Sequence, residues 1–288
     1  MQKGSPKKKI FKKQAQQHPG LEYKMDPLPE FDNEQASQSL KGKKCIITGG
    51  DSGIGRAVAV AFAKEGADVA IIHLKKEQKD ADETIQYIQE SYHRKCLSVA
   101  ADLSKEKNCK SAIRKITKTF KQIDILVNNA AVHYPESDFA KITTEHLMET
   151  FSVNILAMFW ITQATLPFMK DGACIINTSS VTAYRGSGGL IDYSATKGAI
   201  VSFTRSLSSN LMKKGIRVNG VAPGPVWTPL IPASFPAEQV AVFGTDSPMK
   251  RPAQPAELAA AYVFLAGEGA SYISGQFIHV NGGEIING

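Results

Sequence analysis

The amino-acid sequence predicts an α/β fold in which helices cover both faces of a parallel sheet. From residue 44 onward, short apolar runs of strand length alternate with stretches in which apolar residues recur every three or four positions. The connections are short, and a glycine-rich turn joins the first run to the first helical stretch. Such alternation requires parallel strands joined by crossover helices. Right-handed crossovers then give a Rossmann-like, doubly wound, seven-stranded sheet in the order 3-2-1-4-5-6-7, within a single domain.

The individual elements follow from the same periodicities. Strands are predicted where apolar and β-branched residues run together, since the strands of such a sheet are buried on both faces. The predicted strands are 45–48, 68–73, 96–101, 123–127, 173–178, 216–221 and 276–280. The predicted helices are 54–64, 81–92, 105–120, 144–153, 155–169, 192–213 and 255–266.

Residues 1–40 are predicted to form a basic and polar N-terminal arm that precedes one folded domain at 41–288. The arm is rich in lysine, glutamine and proline and shows no helical or strand period. The chain has a net charge of +7, and five lysines crowd residues 7–13 without an aromatic ladder. We therefore expect a solvated arm and no specific nucleic-acid partner, with weak contact to a polyanion as the alternative.

The cysteines and the apolar runs narrow the class of protein further. Cys45, Cys96, Cys109 and Cys174 are far apart and lack metal-ligand spacing, so we expect structural thiols and no metal site. The apolar runs stop short of the ~20 residues that cross a bilayer, and the N-terminus lacks the apolar core of a signal peptide. We expect a soluble, cytoplasmic protein with no membrane partner.

A tyrosine and a lysine stand one turn apart near the start of a predicted helix. Tyr193 and Lys197 share a face of that helix, and Ser180 follows the strand 173–178 at the edge where such sheets bind ligands. A lysine ammonium ~4 Å from a phenol, at an effective dielectric of ~20, stabilises the phenolate by up to ~4 kcal/mol, roughly three pK units. We expect Tyr193, with a lowered pKa, to act as general acid and base while Ser180 holds a carbonyl oxygen. The alternative is that Tyr193 and Lys197 are an ordinary pair of neighbouring side chains on a helix, without a catalytic role.

A glycine-rich segment, 48–55, follows the first strand and opens the first helix. Gly49 permits the turn, Gly53 lets the backbone approach a pyrophosphate, and Gly55 lets the helix pack closely on the sheet. The N-terminus of the helix then favours phosphate anions. This placement predicts a dinucleotide site, with a simple turn as the alternative.

Further motifs occur at the ends of later strands, namely Asp102-Leu103, Asn128-Asn129-Ala130-Ala131 and Pro223-Gly224. Together with the glycine segment, Asn154 and the Ser180, Tyr193 and Lys197 set, they make residues 42–288 resemble a short-chain dehydrogenase/reductase. The type is the shorter one, with a T-G-x-x-x-G-I-G loop, and the arm is similar to the N-terminal extension of one bacterial subgroup. The resemblance implies an NAD(P)-dependent oxidoreductase that interconverts an aldehyde or ketone and an alcohol by hydride transfer, with Tyr193 as general acid/base.

The resemblance also assigns the residues of the site. It implies four catalytic residues, Asn154, Ser180, Tyr193 and Lys197. It implies that the cofactor is bound by Gly49, Asp51, Ser52, Gly53, Ile54, Gly55, His73, Leu74, Lys75, Asp102, Leu103, Asn129, Ala130, Ala131, Tyr193, Lys197, Pro223, Gly224, Val226 and Thr228.

Three of these assignments have a structural alternative. Asp102 is expected to accept a hydrogen bond from the adenine amino group, or else to cap a surface turn. Asn154 is expected to bend its helix and hold a water that links Lys197 to solvent, or else to satisfy a neighbouring backbone group. The segment 223–226 is expected to wrap the nicotinamide side, or else to be only a rigid loop. The backbone at 129–131 is expected to pack along the cofactor and to brace the central sheet.

The turn after the second strand bears on which nicotinamide cofactor is used. Relatives that prefer NAD usually place an aspartate there, whereas this chain has His73 followed by Leu74, Lys75 and Lys76. Without that aspartate, nothing at this position repels a phosphate, and the two lysines offer positive charge, so both features favour NADP. Ser52, however, stands where NADP-preferring relatives often carry a basic residue. We expect a modest preference for NADP with measurable use of NAD.

The segment at about 227–252 is long, holds five prolines and is rich in apolar residues. Its length and its position after the Pro223-Gly224 motif predict a lid over the substrate, and its apolar lining favours an aldehyde or ketone of apolar character. Four further residues are expected to face either the pocket or the surface: His133, Tyr134, Tyr184 and Arg185.

The resemblance implies a homotetramer, paired through helices 105–120 and 145–169 and through the apolar C-terminal segment 276–288. The other expected partner is a small carbonyl or alcohol substrate. Two further functions stay open, a catalytically silent dinucleotide-binding sensor or scaffold and an isomerase or epimerase that retains its cofactor. A silent protein would usually lack Tyr193 or Lys197, and the isomerases have a different glycine spacing and a longer chain.

Overall fold

The computed structural model describes residues 38–286 and contains the predicted parallel sheet of seven strands. The strands are β1 (Lys44–Thr48), β2 (Asp68–His73), β3 (Cys96–Ala100), β4 (Ile125–Asn128), β5 (Cys174–Thr178), β6 (Arg217–Pro223) and β7 (Phe277–Val280). Their order is β3-β2-β1-β4-β5-β6-β7, and every neighbouring pair is parallel. The predicted fold class is confirmed, and the strand order reverses between β1 and β4, where such sheets bind ligands.

Helices cover both faces of this sheet. In chain order they are α1 (Gly53–Lys64), α2 (Gln78–Tyr92), α3 (Glu106–Thr117), α4 (Thr144–Phe151), α5 (Ala157–Thr165), α6 (Thr182–Arg185), α7 (Ile191–Leu211), α8 (Leu230–Ser234), α9 (Ala237–Ala241) and α10 (Pro255–Ala266). Helices α1, α2 and α10 cover one face, with Phe62 and Leu258 fully buried there. Helices α3, α5 and α7 cover the other face, with Ile113 and Ile161 buried in it.

The strands are buried on both faces, which explains their continuous apolar runs. In β1, Cys45 and Ile47 face the layer of α1 and α10, while Ile46 between them faces the layer of α3 and α5. All three side chains are fully buried. Each buried isoleucine stabilises the fold by about 1.5–3 kcal/mol, so the sheet is a rigid support for the loops at its edges.

The folded body begins before the predicted boundary at 41. Leu40 is fully buried in the layer of α1 and α10, and its N–H donates to the Glu65 carbonyl at 3.0 Å. The Ser39 hydroxyl donates to the Glu65 carboxylate at 3.1 Å. These residues belong to the body, and the boundary is corrected accordingly, because one apolar side chain has no period that a sequence pattern can reveal. Residues 1–37, which hold most of the predicted arm, lie outside the described residues.

The helices predicted at 144–153 and 155–169 form one continuous helical segment instead. Helix α4 passes into a π-helical turn, Ser152–Leu156, and then into α5, which ends in the 3₁₀ turn Leu166–Phe168. A π turn inserts one extra residue into a helix. The polar Asn154 is therefore accommodated at the centre of the turn without ending the helix.

One helical segment within residues 38–286, the stretch Thr144–Phe168, is long and apolar enough to cross a membrane by length and composition. Its inner side packs on the sheet through Ala157 and Ile161, which are almost fully buried. Its outer side exposes Met148 and Phe159. The segment is thus a helix of the folded body with an uncovered apolar side.

All four cysteines are free and buried. Burial raises the pKa of the Cys96 and Cys109 thiols to about 12. Thiols with so high a pKa are unreactive at neutral pH, which fits the predicted structural role. Among the residues that the structure describes, no group of three His, Cys, Asp or Glu side chains lies close enough to hold a metal ion.

Candidate active site

The carboxyl ends of the strands open into a large cavity of about 1540 Å³. Its walls are the loops after β1 to β6, the start of α7 and most of the segment 227–252. Parallel strands place all these ends at the same edge of the sheet. The cavity therefore gathers motifs that lie far apart in the chain.

The glycine segment forms the turn between β1 and α1 on one wall of this cavity. Gly49 and Gly53 have φ values of +63° and +52°, a left-handed conformation that favours glycine. A Cβ on Gly55 would lie 1.8 Å from the Gly49 carbonyl oxygen, so only glycine permits this close approach of α1. The turn and the N-terminus of α1 present backbone N–H groups to the cavity, which is the chemistry that binds a phosphate.

Tyr193, Ser180 and Lys197 meet in the same cavity. Tyr193 and Lys197 lie one turn apart near the start of α7, and Ser180 follows β5. The Lys197 Nζ lies 5.3 Å from the centre of the Tyr193 ring and donates to the Thr178 carbonyl at 2.9 Å. The end of β5 thus fixes both the lysine and the serine beside the phenol.

Burial, rather than the charge of the lysine, controls the titration of this pair. Removal from water raises the pKa of Tyr193 to about 12, and the Ser180 hydroxyl offsets only part of that rise. The same burial lowers the pKa of Lys197 to about 7. The predicted lowering of the Tyr193 pKa is wrong for the chain alone, because it assumed a fully charged lysine beside a solvated phenol. At neutral pH the phenol stays protonated and is ready to donate.

Asn154 is fully buried, and its side-chain amide is already hydrogen-bonded within the protein. Its Oδ1 accepts from the Val132 N–H at 2.8 Å, and its Nδ2 donates to the Val132 carbonyl at 2.9 Å and to the Thr196 hydroxyl at 3.2 Å. The predicted bend is present as the π turn, but the side chain does not line the cavity. This geometry matches the alternative in which Asn154 satisfies a neighbouring backbone group and ties the loop after β4 to α7.

Asn129 braces the ends of three strands, as predicted. Its Nδ2 donates to the Thr48 carbonyl at 3.2 Å, and its Oδ1 accepts from the Thr178 hydroxyl at 3.3 Å. The backbone N–H groups of Asn129 and Ala130 donate to the Thr48 hydroxyl at 2.9 and 3.0 Å. Strands β1, β4 and β5 are thereby held in register around the cavity.

Asp102 both caps a turn and lines the cavity. Its Oδ1 accepts from the N–H and the hydroxyl of Ser104 at 3.0 and 2.6 Å, and the Lys105 Nζ lies 3.5 Å from its Oδ2. The hydrogen bond from the Ser104 hydroxyl holds the pKa of this carboxyl below its usual range. Asp102 therefore caps the turn, as in the structural alternative, and its ionised carboxylate can still accept a hydrogen bond from a ligand amino group.

The turn after β2 is less basic than the sequence suggests. His73 is buried, and both of its ring nitrogens are hydrogen-bonded within the protein. Lys76 lines the cavity, whereas Lys75 lies on a neighbouring groove. Glu77 also lines the cavity, and its carboxylate accepts from the Leu74 N–H at 2.9 Å. A negative charge therefore stands next to Lys76.

The segment 227–252 closes another side of the cavity. Its base is pinned where the Trp227 N–H donates to the Ala253 carbonyl and the Ala253 N–H donates to the Pro225 carbonyl, both at 2.9 Å. The segment folds into α8 and α9, and Phe235 between them lines the cavity. The segment predicted to be a lid thus forms part of the cavity wall, and its role as a lid remains a prediction.

Comparisons with known proteins agree with this arrangement. Residues 49–284 match the family described as Enoyl-(Acyl carrier protein) reductase. The chain is 48% identical over 283 residues to NADPH-dependent aldehyde reductase 1, chloroplastic, of Arabidopsis thaliana, covering 96% of this chain and 98% of that one. It is 50% identical over 276 residues to the glucose and ribitol dehydrogenase of Daucus carota, covering 94% and 95%.

A solved structure is similar over nearly its whole length. The short chain dehydrogenase of Burkholderia cenocepacia J2315, crystallised in complex with NADP, superposes with a TM-score of 0.79 and 30% sequence identity, covering 85% of this chain and 98% of that one. The chain belongs to the short-chain dehydrogenase/reductase family. It is an NAD(P)-dependent oxidoreductase by that membership.

Nearly all residues predicted for the site of this short-chain dehydrogenase/reductase line the cavity. Three do not: Gly55 packs beneath the turn, Lys75 lies on the neighbouring groove, and Asn154 is buried behind the loop after β4. Those that line it are Gly49, Asp51, Ser52, Gly53, Ile54, His73, Leu74, Asp102, Leu103, Asn129, Ala130, Ala131, Ser180, Tyr193, Lys197, Pro223, Gly224, Val226 and Thr228.

The structure also places the four residues whose direction the sequence leaves open. His133, Tyr134 and Arg185 line the cavity. Tyr184 instead packs against His279, with ring centres 4.5 Å apart. Only three of the four are therefore able to touch a ligand in this short-chain dehydrogenase/reductase.

Sequence reasoning missed one buried carboxylate beside the tyrosine. Asp192 lines the cavity, and its two oxygens accept from the Tyr193 N–H and the Thr150 hydroxyl, both at 2.8 Å. An acidic residue in the first turn of a helix is a recognisable signal, because it satisfies free N–H groups there. That signal was available at Asp192, directly before Tyr193.

Proposed function

We propose that this short-chain dehydrogenase/reductase interconverts a small aldehyde or ketone and its alcohol, with Tyr193 as general acid and base. The observation that supports this most strongly is that Tyr193, Ser180 and Lys197 share one cavity with the glycine turn. The names of the relatives, an aldehyde reductase and a glucose and ribitol dehydrogenase, support the same reaction class. A panel of aldehydes, ketones and alcohols, followed through the absorbance of the reduced nicotinamide, tests the proposal.

The residues of the cavity fit a nicotinamide dinucleotide. The turn with Gly49 and Gly53 and the N-terminus of α1 would hold the pyrophosphate through their backbone N–H groups. Glycine is needed at both positions because a Cβ there would strain a left-handed backbone. Asp102 and Leu103 would hold the adenine, and the loop at Pro223 would lie along the nicotinamide side. The cofactor would supply a hydride to the carbonyl carbon, or accept one from the alcohol.

The residues of the chain are arranged to hold the substrate oxygen and to move its proton. The hydroxyls of Ser180 and Tyr193 would donate to the carbonyl oxygen, which gains negative charge during reduction. Burial keeps Tyr193 protonated at neutral pH, so its proton is available to that oxygen. Lys197, with a pKa of about 7, stands beside the phenol and would return a proton to it.

The two directions of the reaction should respond differently to pH. Reduction needs protonated Tyr193, which the raised pKa ensures, so its pH dependence should follow the return of the proton from Lys197, whose pKa is about 7, and kcat for reduction should fall by no more than about tenfold between about pH 6 and 8. Oxidation needs the phenolate, whose fraction grows about tenfold per pH unit below the pKa, so oxidation should accelerate steadily from about pH 7 to 9. Steady-state rates at saturating substrate check this. An oxidation rate that does not vary with pH would contradict the raised pKa.

A modest preference for NADP over NAD is part of the proposal. Lys76 is a cation on the cavity wall, and the relatives include an NADPH-dependent reductase and an NADP complex. The carboxylate of Glu77 beside Lys76 limits how much Lys76 favours NADP. An exposed ion pair contributes only ~0–1 kcal/mol, which changes the preference for NADP over NAD by less than about tenfold. Lys76→Ala should narrow the ratio of kcat/KM for NADPH and NADH, whereas Lys75→Ala, the matched control, should leave that ratio unchanged.

Two outcomes of this cofactor comparison would count against the preference. Equal effects of the two alanine variants would show that the position of Lys76 on the cavity wall is irrelevant. A parent protein whose kcat/KM favours NADH by more than about tenfold would contradict the preference itself.

We also propose a homotetramer. Met148 and Phe159 are 56% and 43% exposed on the outer side of α4 and α5, and Ile285 is 92% exposed near the C-terminus. Apolar side chains in such positions are typical of subunit interfaces. Light scattering at micromolar concentration should give four times the 31.2 kDa of the chain, and Phe159→Glu should produce smaller particles. A monomeric parent would rule the proposal out.

A further inference from the structure

His133 is a buried histidine on the wall of the cavity, and its imidazole lacks partners. The residue is 7% exposed, and within residues 38–286 neither ring nitrogen has a hydrogen-bond partner. The backbone of Leu230 approaches the ring without reaching hydrogen-bond geometry. Buried polar groups are almost always hydrogen-bonded, so an unpartnered imidazole that lines a cavity points to a ligand.

The ring of His133 lies between the catalytic tyrosine and the lid. Its centre is 5.2 Å from that of the Tyr193 ring, with an angle of 65° between the planes, and 5.5 Å from that of Phe235, with an angle of 80°. Both contacts are edge-to-face and hold the ring in place without using its nitrogens. The ring is therefore held on the cavity wall next to the Tyr193 ring, whose hydroxyl would contact the reacting carbonyl.

The chemistry around His133 selects among possible ligands. Burial lowers the pKa of His133 to about 4, so at neutral pH the ring offers one N–H donor and one nitrogen acceptor. A hydroxyl group both accepts and donates and matches that pair. The buried carboxylate of Asp192, on the same wall, disfavours an anionic group there.

We propose that His133 is a specificity residue that hydrogen-bonds a hydroxyl group next to the reacting carbonyl, so that the enzyme prefers uncharged hydroxylated carbonyl compounds over their apolar analogues. This inference rests on the reaction proposed above and names the substrate class for the same site. It modifies the expectation from the lid, whose apolar residues alone favour an apolar carbonyl.

A matched pair of substrates and a matched set of variants test the inference. Glyceraldehyde and 2-methylbutanal have the same shape, because methyl groups replace the two hydroxyls of the former. His133→Phe keeps a flat ring between Tyr193 and Phe235 and removes both nitrogens, whereas His133→Gln keeps a donor and an acceptor. His279→Phe is the control, since His279 also contacts a tyrosine ring but does not line the cavity.

The parent should have the higher kcat/KM for glyceraldehyde. His133→Phe should lower that value about tenfold, mainly through KM, and should leave the value for 2-methylbutanal unchanged or raised. His133→Gln should restore part of the loss, and His279→Phe should behave like the parent with both substrates. Thermal unfolding and cofactor titration of each variant show whether the fold and the cofactor site are intact.

The inference is overturned if His133→Phe affects both substrates equally, since that outcome indicates a purely structural role. It is also overturned if the parent reduces 2-methylbutanal as well as glyceraldehyde, and in that case the proposed reaction stands. If the parent binds reduced nicotinamide but reduces neither compound, nor any carbonyl of a wider panel, the proposed function itself fails.

Discussion

Tyr193→Phe should lower turnover by at least ~100-fold, the low end for general acid and base catalysis, while the fold and the cofactor affinity persist. The substitution removes only the hydroxyl. The ring keeps its edge contact with His133, and the backbone N–H keeps its bond to Asp192. What is lost is the hydroxyl that, in the proposed mechanism, donates the proton and, with that of Ser180, would hold the carbonyl oxygen. Steady-state kcat with a saturating carbonyl, together with a cofactor titration, measures this.

Tyr184→Phe is a suitable control for that experiment. Tyr184 also carries a buried hydroxyl, but it packs against His279 and does not line the cavity. The control should therefore turn over at the parental rate. If Tyr193→Phe did the same, Tyr193 would have to be removed from the mechanism.

Lys197→Met should reduce turnover by about 100-fold and also weaken the cofactor by about tenfold. Methionine fills a similar volume, so the packing of this 1% exposed side chain is largely kept. The amine, its bond to the Thr178 carbonyl and its ability to return a proton to Tyr193 are lost. Leaving that carbonyl without its donor costs about 1–3 kcal/mol, but methionine also relieves the burial cost that lowers the Lys197 pKa, so we expect no large fall in the melting temperature. Fluorescence titration with NADPH and steady-state kinetics measure the two effects.

Lys213→Met separates the site effect from the general effect of losing a positive charge. Lys213 is exposed in the turn after α7 and is far along the chain from the cavity residues of that helix. It should leave both turnover and affinity unchanged. An equal response to the two substitutions would mean that Lys197 acts through net charge and not through its place beside Tyr193.

The topology of the sheet was predictable because buried parallel strands leave a strong local signal. Runs such as Cys45-Ile46-Ile47 are apolar on both faces, and handedness then fixes the strand order. Leu40 and the π turn at Asn154 were not predictable in the same way. The burial of Leu40 depends on long-range packing in the layer of α1 and α10. The π turn depends on the contact between Asn154 and the backbone of Val132, which forms only when the helix packs on the loop after β4.

The same distinction between local sequence signals and tertiary packing applies to the candidate site. Ser180, Tyr193 and Lys197 were found because the end of a strand and one helical turn bring them together from sequence spacing alone. The direction of the Tyr193 pKa was missed because burial depends on the whole fold. The position of His133 on the cavity wall and the carboxylate of Glu77 beside Lys76 depend on side-chain packing in loops, which no periodic pattern records.

A single-turnover experiment tests the central claim most directly. The parent and Tyr193→Phe are each loaded with one equivalent of NADPH and mixed with an excess of the best carbonyl from the panel, and the absorbance of the reduced nicotinamide is followed. The parent should oxidise its bound cofactor completely, and the variant, with equal cofactor bound, should do so at least ~100-fold more slowly. Equal rates in the two proteins, or a parent that holds NADPH unchanged with every carbonyl tested, would contradict the account.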